Sequence, residues 1–104
     1  MVLNVLKYNI HPDKAEAYYD WVKQVIPRIL VLKGLVELRA FRPVSGSWQV
    51  VSTTEYANTA AWVRVAAGKE WQQIMAELHD LALDITVEVW GPSPTVPKPL
   101  RPEK

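Results

Sequence analysis

Histidine is the side chain best suited to moving protons near neutral pH, and this chain has two, His11 and His79. His79 lies in the segment EWQQIMAELHDL, residues 70–81, about 100° around the predicted helix from the centre of its apolar stripe. That flank position fits two roles: a proton acceptor at the rim of a cavity, or a surface residue with no catalytic task. His11 precedes Pro12 and is typical of a loop or helix cap.

Metal and thiol chemistry find little support in the sequence. The absence of cysteine excludes disulfides, thiol nucleophiles and cysteine-ligated metals. The two histidines lie too far apart along the chain for metal-ligand spacing, and no Ser–His–Asp spacing indicates a nucleophile. We therefore expect no metal site.

Several aromatic and polar residues are candidates for binding an oxygen-bearing ring. Tyr8 and Asn9 lie late in the first predicted strand, and Arg39 lies in the second. Trp62 and Trp71 lie on the second helix, where each either lines a pocket or fills the core. Alternation shows which strand positions share a face, but it leaves open which face looks toward a cavity.

The elements that must position these residues follow from hydrophobic periodicity and from turn residues. A helix beginning at HPDKAE should bend at Pro27 and stop at Gly34, and a later helix should loosen at Gly68. The first helix is expected to bury Ala15, Tyr19, Val22, Ile26, Ile29 and Leu30. The predicted strands are residues 2–10, 35–44, 48–56 and 86–90, and the predicted second helix runs from Thr59 to about Asp84.

The resulting βαββαβ order predicts an α+β, ferredoxin-like fold: a four-stranded antiparallel sheet with two helices on one face. The opposite face should be apolar enough to pack against a second copy, giving a two-fold dimer. The residues expected there are Leu3, Val5, Val36, Leu38, Ala40 and Val50 or Val51. We expect one domain over residues 1–91 and a proline-rich arm over residues 92–104.

Composition narrows the class of protein. The chain has 104 residues, a formal net charge of +1 and no basic run, so a nucleic-acid partner is not expected. The most apolar stretch, VIPRILVLKGLVEL, is too short and too charged to span a membrane. The N-terminus lacks the pattern of a signal peptide, and a cytoplasmic location is expected by default.

The segments HPDKAEAYYDWV and KGLVELRAFRPVSGSWQVVSTTEYAN, together with a tryptophan-bearing second helix, resemble the dimeric α+β barrel superfamily. The resemblance covers residues 2–91 and is nearest to antibiotic biosynthesis monooxygenase-like domains, while GKEWQQI is similar to the second helix of NIPSNAP-type domains. It implies a homodimer, and a cavity between sheet and helices that binds a small aromatic or quinol-like compound.

The resemblance also implies a reaction, a cofactor-independent monooxygenation in which the electron-rich substrate itself activates oxygen. His79 would then assist proton transfer, and Trp62 and Asn9 or Tyr8 would shape the site. The alternatives are a non-catalytic binding or structural dimer, and an isomerase or lyase that uses His79. Haem-degrading members of the superfamily use an Asn, a Trp and an axial His, of which this chain matches only the Trp, with Trp62; no cofactor is therefore expected.

Overall fold

The computed structural model describes residues 1–103, which fold into one antiparallel sheet covered on one face by three helices. The strand order β2-β3-β1-β4 confirms the predicted ferredoxin-like arrangement. A single turn of 3-10 helix, Pro12–Lys14, leads from the first strand into the first helix. The elements are β1 Val2–Ile10, α1 Ala15–Leu30, β2 Leu35–Phe41, β3 Val50–Tyr56, α2 Thr59–Ala66, α3 Lys69–Leu81 and β4 Ala82–Trp90.

Side chains at the element ends account for several boundaries. His11 accepts a hydrogen bond from the Asp13 backbone N–H at 3.1 Å and so caps the 3-10 turn, as expected for a cap residue. Asn58 caps α2 in the same way, accepting from the Ala61 N–H at 2.9 Å. Gly34 has a φ of +101°, the left-handed conformation that glycine adopts at little cost, and the chain turns there into β2.

The predicted second helix is two helices, and the last strand begins earlier than expected. Gly68 is extended and serves as the N-cap of α3, so the expected loosening is a complete break. Helix α3 ends at Leu81 and β4 begins at Ala82 rather than at residue 86. Asp84, with a φ of +58°, lies where the pairing of β1 with β4 shifts register. Because aspartate tolerates this left-handed conformation, the bulge is accommodated without glycine.

The two faces of the sheet differ in what covers them. Residues that pair directly across antiparallel strands share a face. Leu6 and Tyr8 lie on the inner face, packed in the core with Trp71 of α3. Val5 lies on the outer face, where it pairs with Thr53 of β3. The other outer-face residues follow from the same registers and include Leu3, Lys7, Arg39, Phe41, Val51, Glu88 and Trp90.

This register corrects part of the predicted dimer face. Leu38 pairs with Thr54, and Ala40 pairs with Ser52, so both lie on the inner face with Leu6. Of the two alternatives on β3, Val51 lies on the outer face and Val50 on the inner face. The expected face of β2 is wrong because alternation within one strand shows which positions share a face but not which face packs against the helices.

The remaining segment, residues 91–103, contains neither helix nor strand and is exposed throughout. Its five prolines lack the backbone N–H that a sheet or helix requires. Within residues 1–103, no helix has both the length and the apolar character needed to cross a bilayer.

Candidate functional site

A small apolar cavity lies between the inner face of the sheet and helices α1 and α3, and it encloses about 120 Å³. We call it the tyrosine cavity, because Tyr8 from β1 and Tyr18 from α1 meet at its wall. Each layer contributes side chains, so the fold itself creates the space. Its other walls include Leu6, Trp21, Val25, Leu38, Ser52, Thr54, Trp71, Met75 and Leu78.

The two tyrosines form a hydrogen-bonded pair. Their phenol oxygens lie 2.6 Å apart, and their rings meet edge to face with centroids 5.9 Å apart. Both side chains are buried. Burial raises the pKa of the Tyr8 phenol, and its hydrogen bond with Tyr18 raises the pKa further. Burial likewise raises the pKa of Tyr18, against the opposing effect of its bond to Tyr8. Both phenols are therefore neutral at physiological pH and act as hydrogen-bonding groups, not as bases.

The rest of the cavity wall is free of ionisable groups of the kind that abstract protons. Ser52 and Thr54 supply hydroxyls, and the remaining lining residues are apolar or aromatic. Across residues 1–103, no carboxylate, imidazole or amine lines this cavity. Apolar walls with a few placed hydroxyls are typical of small-molecule pockets.

A wider and more open space of about 610 Å³, the outer groove, adjoins the tyrosine cavity. The two spaces share four lining residues, and Tyr18 is one of them. Tyr19, at the next position of α1, lines only the groove, and its ring lies 5.4 Å from that of Tyr18. The loop between β2 and β3 completes the groove with Arg42, Pro43, Trp48 and Gln49.

One wall of the tyrosine cavity is held by an ionic cluster. The Trp21 indole N–H donates to Glu77 Oε1 at 2.8 Å, and the Arg28 guanidinium donates to both oxygens of Glu77, at 2.7 and 3.2 Å. Gln73 donates to Glu77 as well. The hydrogen bonds from Arg28 and then from Trp21 lower the pKa of Glu77 to about 2. Because Glu77 fixes the Trp21 ring, the cluster joins α1 to α3 beside the cavity.

A second polar contact lies beside the cavity on β1. The Trp62 indole N–H donates to Asn4 Oδ1 at 3.3 Å. Asn4 is only 2% exposed, and its Nδ2 has no hydrogen-bond partner among residues 1–103. Asn4 pairs across the ladder with Thr54, which lines the tyrosine cavity. An unpartnered buried donor is costly, and in native proteins such a group calls for an explanation.

Of the predicted site residues, two line the tyrosine cavity and the others lie outside it. Tyr8 and Trp71 line the tyrosine cavity, and both are buried in the core. Trp62 packs against the core and bonds to Asn4 but does not line the cavity.

His79 lies outside the cavity. It is exposed on α3, and its Nδ1 donates to the Met75 carbonyl at 2.7 Å, a bond within its own helix. Leu78, the preceding residue, is the one that faces the cavity. His79 therefore does not occupy the expected place at the rim of the tyrosine cavity.

Asn9 and Arg39 also lie away from the cavity, on the outer face of the sheet. Arg39 is 64% exposed and pairs with Glu37 at 2.9 Å on its own strand. Asn9 joins three segments, because its Oδ1 accepts from the Gln49 N–H at 2.9 Å and its Nδ2 donates to Asp84 at 3.2 Å. Asn9 thus supports the loop that lines the outer groove.

Tyr18 belongs to an aromatic cluster on α1, Tyr18, Tyr19 and Trp21, that the sequence allows either to line a pocket or to fill the core, but the expected buried stripe leaves Tyr18 out. The expected stripe on α1 contained Tyr19, which is 58% exposed, whereas the buried residues are Tyr18 and Val25. A stripe through residues 18, 22, 25 and 29 fits helical spacing as well as the expected one. Because Tyr18 and Tyr19 are adjacent and chemically identical, the sequence does not show which of the two possible stripes is buried.

No cluster of three or more histidine, aspartate or glutamate side chains suited to a metal ion exists within residues 1–103. The polar groups that line the tyrosine cavity are instead the two phenols and the hydroxyls of Ser52 and Thr54.

Comparison with known protein families gives a match over residues 1–77 to the family model described as antibiotic biosynthesis monooxygenase. The chain belongs to this family. The match covers β1 to most of α3 and includes every residue that lines the tyrosine cavity except Leu78. No curated protein matches the chain.

Solved structures share the fold of this family member at low sequence identity. SnoaB from Streptomyces nogalater, a cofactor-independent oxygenase, is 16% identical with a TM-score of 0.72, covering 93% of this chain and 97% of its own. A DABB family protein from Mesorhizobium loti with a ferredoxin-like fold is 10% identical with a TM-score of 0.78, covering 88% and 96%. At these identities the likeness establishes the fold alone.

Proposed function

We propose that this protein is a homodimeric small-molecule-binding barrel that acts as a cofactor-independent monooxygenase on a small phenol or hydroquinone. The tyrosine cavity carries the proposal: an apolar space with one neutral, hydrogen-bonded phenol pair at its wall. The family match and the oxygenase activity of SnoaB support the reaction type.

The size of the cavity limits the ring that it accepts. A volume of about 120 Å³ is close to that of an engineered apolar cavity of about 150 Å³ that binds benzene. Typical ligand pockets measure about 300–1,000 Å³. One aromatic ring therefore fits inside the cavity, and any larger part of a substrate extends into the outer groove.

In the proposed reaction the protein needs only to bind and orient the substrate. A hydroquinone and O₂ give a hydroxyquinone and water, so one oxygen atom enters the ring, the other leaves as water, and the substrate supplies all the electrons. The Tyr8–Tyr18 pair supplies a donor and an acceptor that align the substrate hydroxyl. The apolar walls exclude water, which strengthens these hydrogen bonds.

The role of His79 remains a hypothesis with a simple test. If His79 accepts the substrate proton, His79→Ala should abolish turnover and leave the fold intact. Equal turnover in the variant would remove the imidazole from the mechanism and, with it, the isomerase or lyase alternative, which depends on the same residue.

The proposal is tested with hydroquinone under ¹⁸O₂. We expect oxygen uptake above the uncatalysed rate, with one labelled atom in the product and one in water. The double variant Tyr8→Phe/Tyr18→Phe should lose most of the rate, because the cavity then has no phenol to orient the substrate. Enzyme-independent uptake, or product without label, would contradict a monooxygenase.

A non-catalytic binding dimer is the second candidate, and one observation favours it: no base lines the cavity within residues 1–103. It predicts saturable binding of phenols without oxygen uptake. Calorimetric titration under nitrogen, followed by oxygen electrode measurements on the same sample, separates the two functions. The cytoplasmic location also remains a prediction.

A further inference from the structure

The lining of the outer groove carries one positive charge and no negative charge within residues 1–103. Arg42 is the one lining residue with a formal charge among those the structure describes, and the other walls are aromatic, aliphatic or neutral polar. Arg28 and Arg39 each pair with a glutamate, whereas Arg42 has no carboxylate within 4.0 Å in residues 1–103. The groove therefore presents an uncompensated cation next to the tyrosine cavity.

The segment that carries Arg42 is anchored at its far end. The Ile10 N–H donates to Gln49 Oε1 at 2.6 Å, and the Gln49 N–H donates to Asn9 Oδ1 at 2.9 Å. These bonds fasten the β2–β3 loop to the end of β1. Arg42 directly follows the last residue of β2, so the loop is held at both ends. A held loop loses less entropy when a ligand orders it.

Arg42 lies in the groove into which any part of a ligand too large for the tyrosine cavity extends. Only one ring fits into the tyrosine cavity, and the spaces share Tyr18, Val22, Ala40 and Val50 as walls. A substituent on the bound ring must therefore leave toward the groove that contains Arg42. Arginine pairs with carboxylates through two parallel hydrogen bonds, which gives both affinity and orientation.

We infer that the substrate is an aromatic acid, with its phenol ring in the tyrosine cavity and a carboxylate on a short arm paired with Arg42. This inference rests on the proposed function and names its substrate class. Arg42 is then a specificity-determining residue, and the reaction that supplies the substrate must deliver a phenolic acid, not a neutral phenol.

The experiment compares three redox-stable probes by calorimetric titration: 4-ethylphenol, 3-(4-hydroxyphenyl)propanoate and the uncharged amide of that acid. In the wild type we expect the acid to bind about tenfold more tightly than the amide, the usual scale for a charge-assisted hydrogen bond. Arg42→Gln should bring the acid and amide to equal affinity. Arg39→Gln, which removes an arginine from the outer face, should retain the preference.

Each outcome decides between the proposals. If 4-ethylphenol binds but the wild type does not prefer the acid, the inference about Arg42 is overturned while the cavity proposal stands. A preference that persists in Arg42→Gln overturns it as well. If no probe binds, the proposed function fails together with the inference. Arg42→Lys, which keeps the charge but not the paired geometry, should give an intermediate preference and guards against misfolding of the glutamine variant.

Discussion

At the scale of single residues, the Tyr8–Tyr18 bond permits a quantitative test, because both phenols are buried and each is the other's partner. Removing one hydroxyl leaves the other unsatisfied, so Tyr8→Phe and Tyr18→Phe should each lower the free energy of unfolding by about 1–3 kcal/mol. The double variant should lose less than the sum, since no orphan hydroxyl remains. Urea denaturation of the four proteins measures this coupling. Strictly additive losses would show that the phenols do not interact.

Glu77 provides a pH-dependent test at the same scale. The pKa of Glu77 in the folded protein is lowered to about 2 from its ordinary 4.5 by Arg28 and Trp21. The ionised form therefore stabilises the fold above pH 4.5, and this contribution is lost as the pH falls toward 2. Glu77→Gln should be less stable than wild type at pH 7, and the difference should shrink progressively below pH 4.5.

The matched control for Glu77 is Glu70→Gln, which removes the more exposed partner of the same arginine, 59% exposed and 3.4 Å from Arg28. Its effect at pH 7 should be much smaller, because exposed ion pairs contribute little. The measurement is the free energy of unfolding against pH for all three proteins. A constant difference between wild type and Glu77→Gln from pH 7 to pH 2 would refute the assignment.

At the scale of elements, the sequence predicted the order and type of strands and helices, because local patterns determine them. Pro12, Gly34 and Asn58 mark boundaries through their own backbone or side-chain chemistry. The start of β4 was missed because no glycine or proline separates Leu81 from Ala82, and the strand's bulge at Asp84 hides its alternation. Register between strands is a tertiary property, which single-strand periodicity does not contain.

The candidate site was less predictable than the fold for the same reason. Tyr8 and Trp71 were found because they lie on clear apolar faces. To place Tyr18 at the cavity, one must know how α1 is rotated against the sheet. To place Arg42 in the groove, one must know how the β2–β3 loop folds back on β1. The polar residues Asn9 and Arg39 looked functional by type, but their faces are set by pairing that the sequence does not display.

The connection between β1, the β2–β3 loop and β4 leads to a prediction for Asn9. Asn9→Ala removes the acceptor for the Gln49 N–H and the donor to Asp84, so the loop should loosen. We expect faster hydrogen exchange at the Gln49 amide and a stability loss of about 1 kcal/mol. Asn58→Ala is the control, because it frees the Ala61 amide at the start of α2 instead. Unchanged exchange at Gln49 would mean that the loop is held by other contacts.

At the scale of the whole molecule, the outer face of the sheet lacks the helical cover that the inner face has. It carries Leu3, Val51, Phe41 and Trp90 beside charged residues such as Lys7, whose Nζ lies 5.5 Å from the centre of the Trp90 ring. Exposed aromatic side chains such as Phe41 and Trp90 are of the type that is enriched at protein interfaces. The outer face also differs from the predicted face, since β2 contributes Phe41 and not Leu38 or Ala40.

The proposed sheet-to-sheet dimer is tested by two exposed apolar residues on opposite sides of the molecule. Trp90 is 46% exposed on the outer face, and Val63 is 49% exposed on α2, so their accessibility in one chain is nearly equal. Trp90→Glu should weaken the dimer at least tenfold, because it places an unpaired charge in the interface, whereas Val63→Glu should leave the dissociation constant unchanged. Sedimentation velocity over a range of concentrations measures both. A dimer that resists Trp90→Glu but dissociates with Val63→Glu would place the interface on the helices, and a wild-type monomer would rule out the barrel.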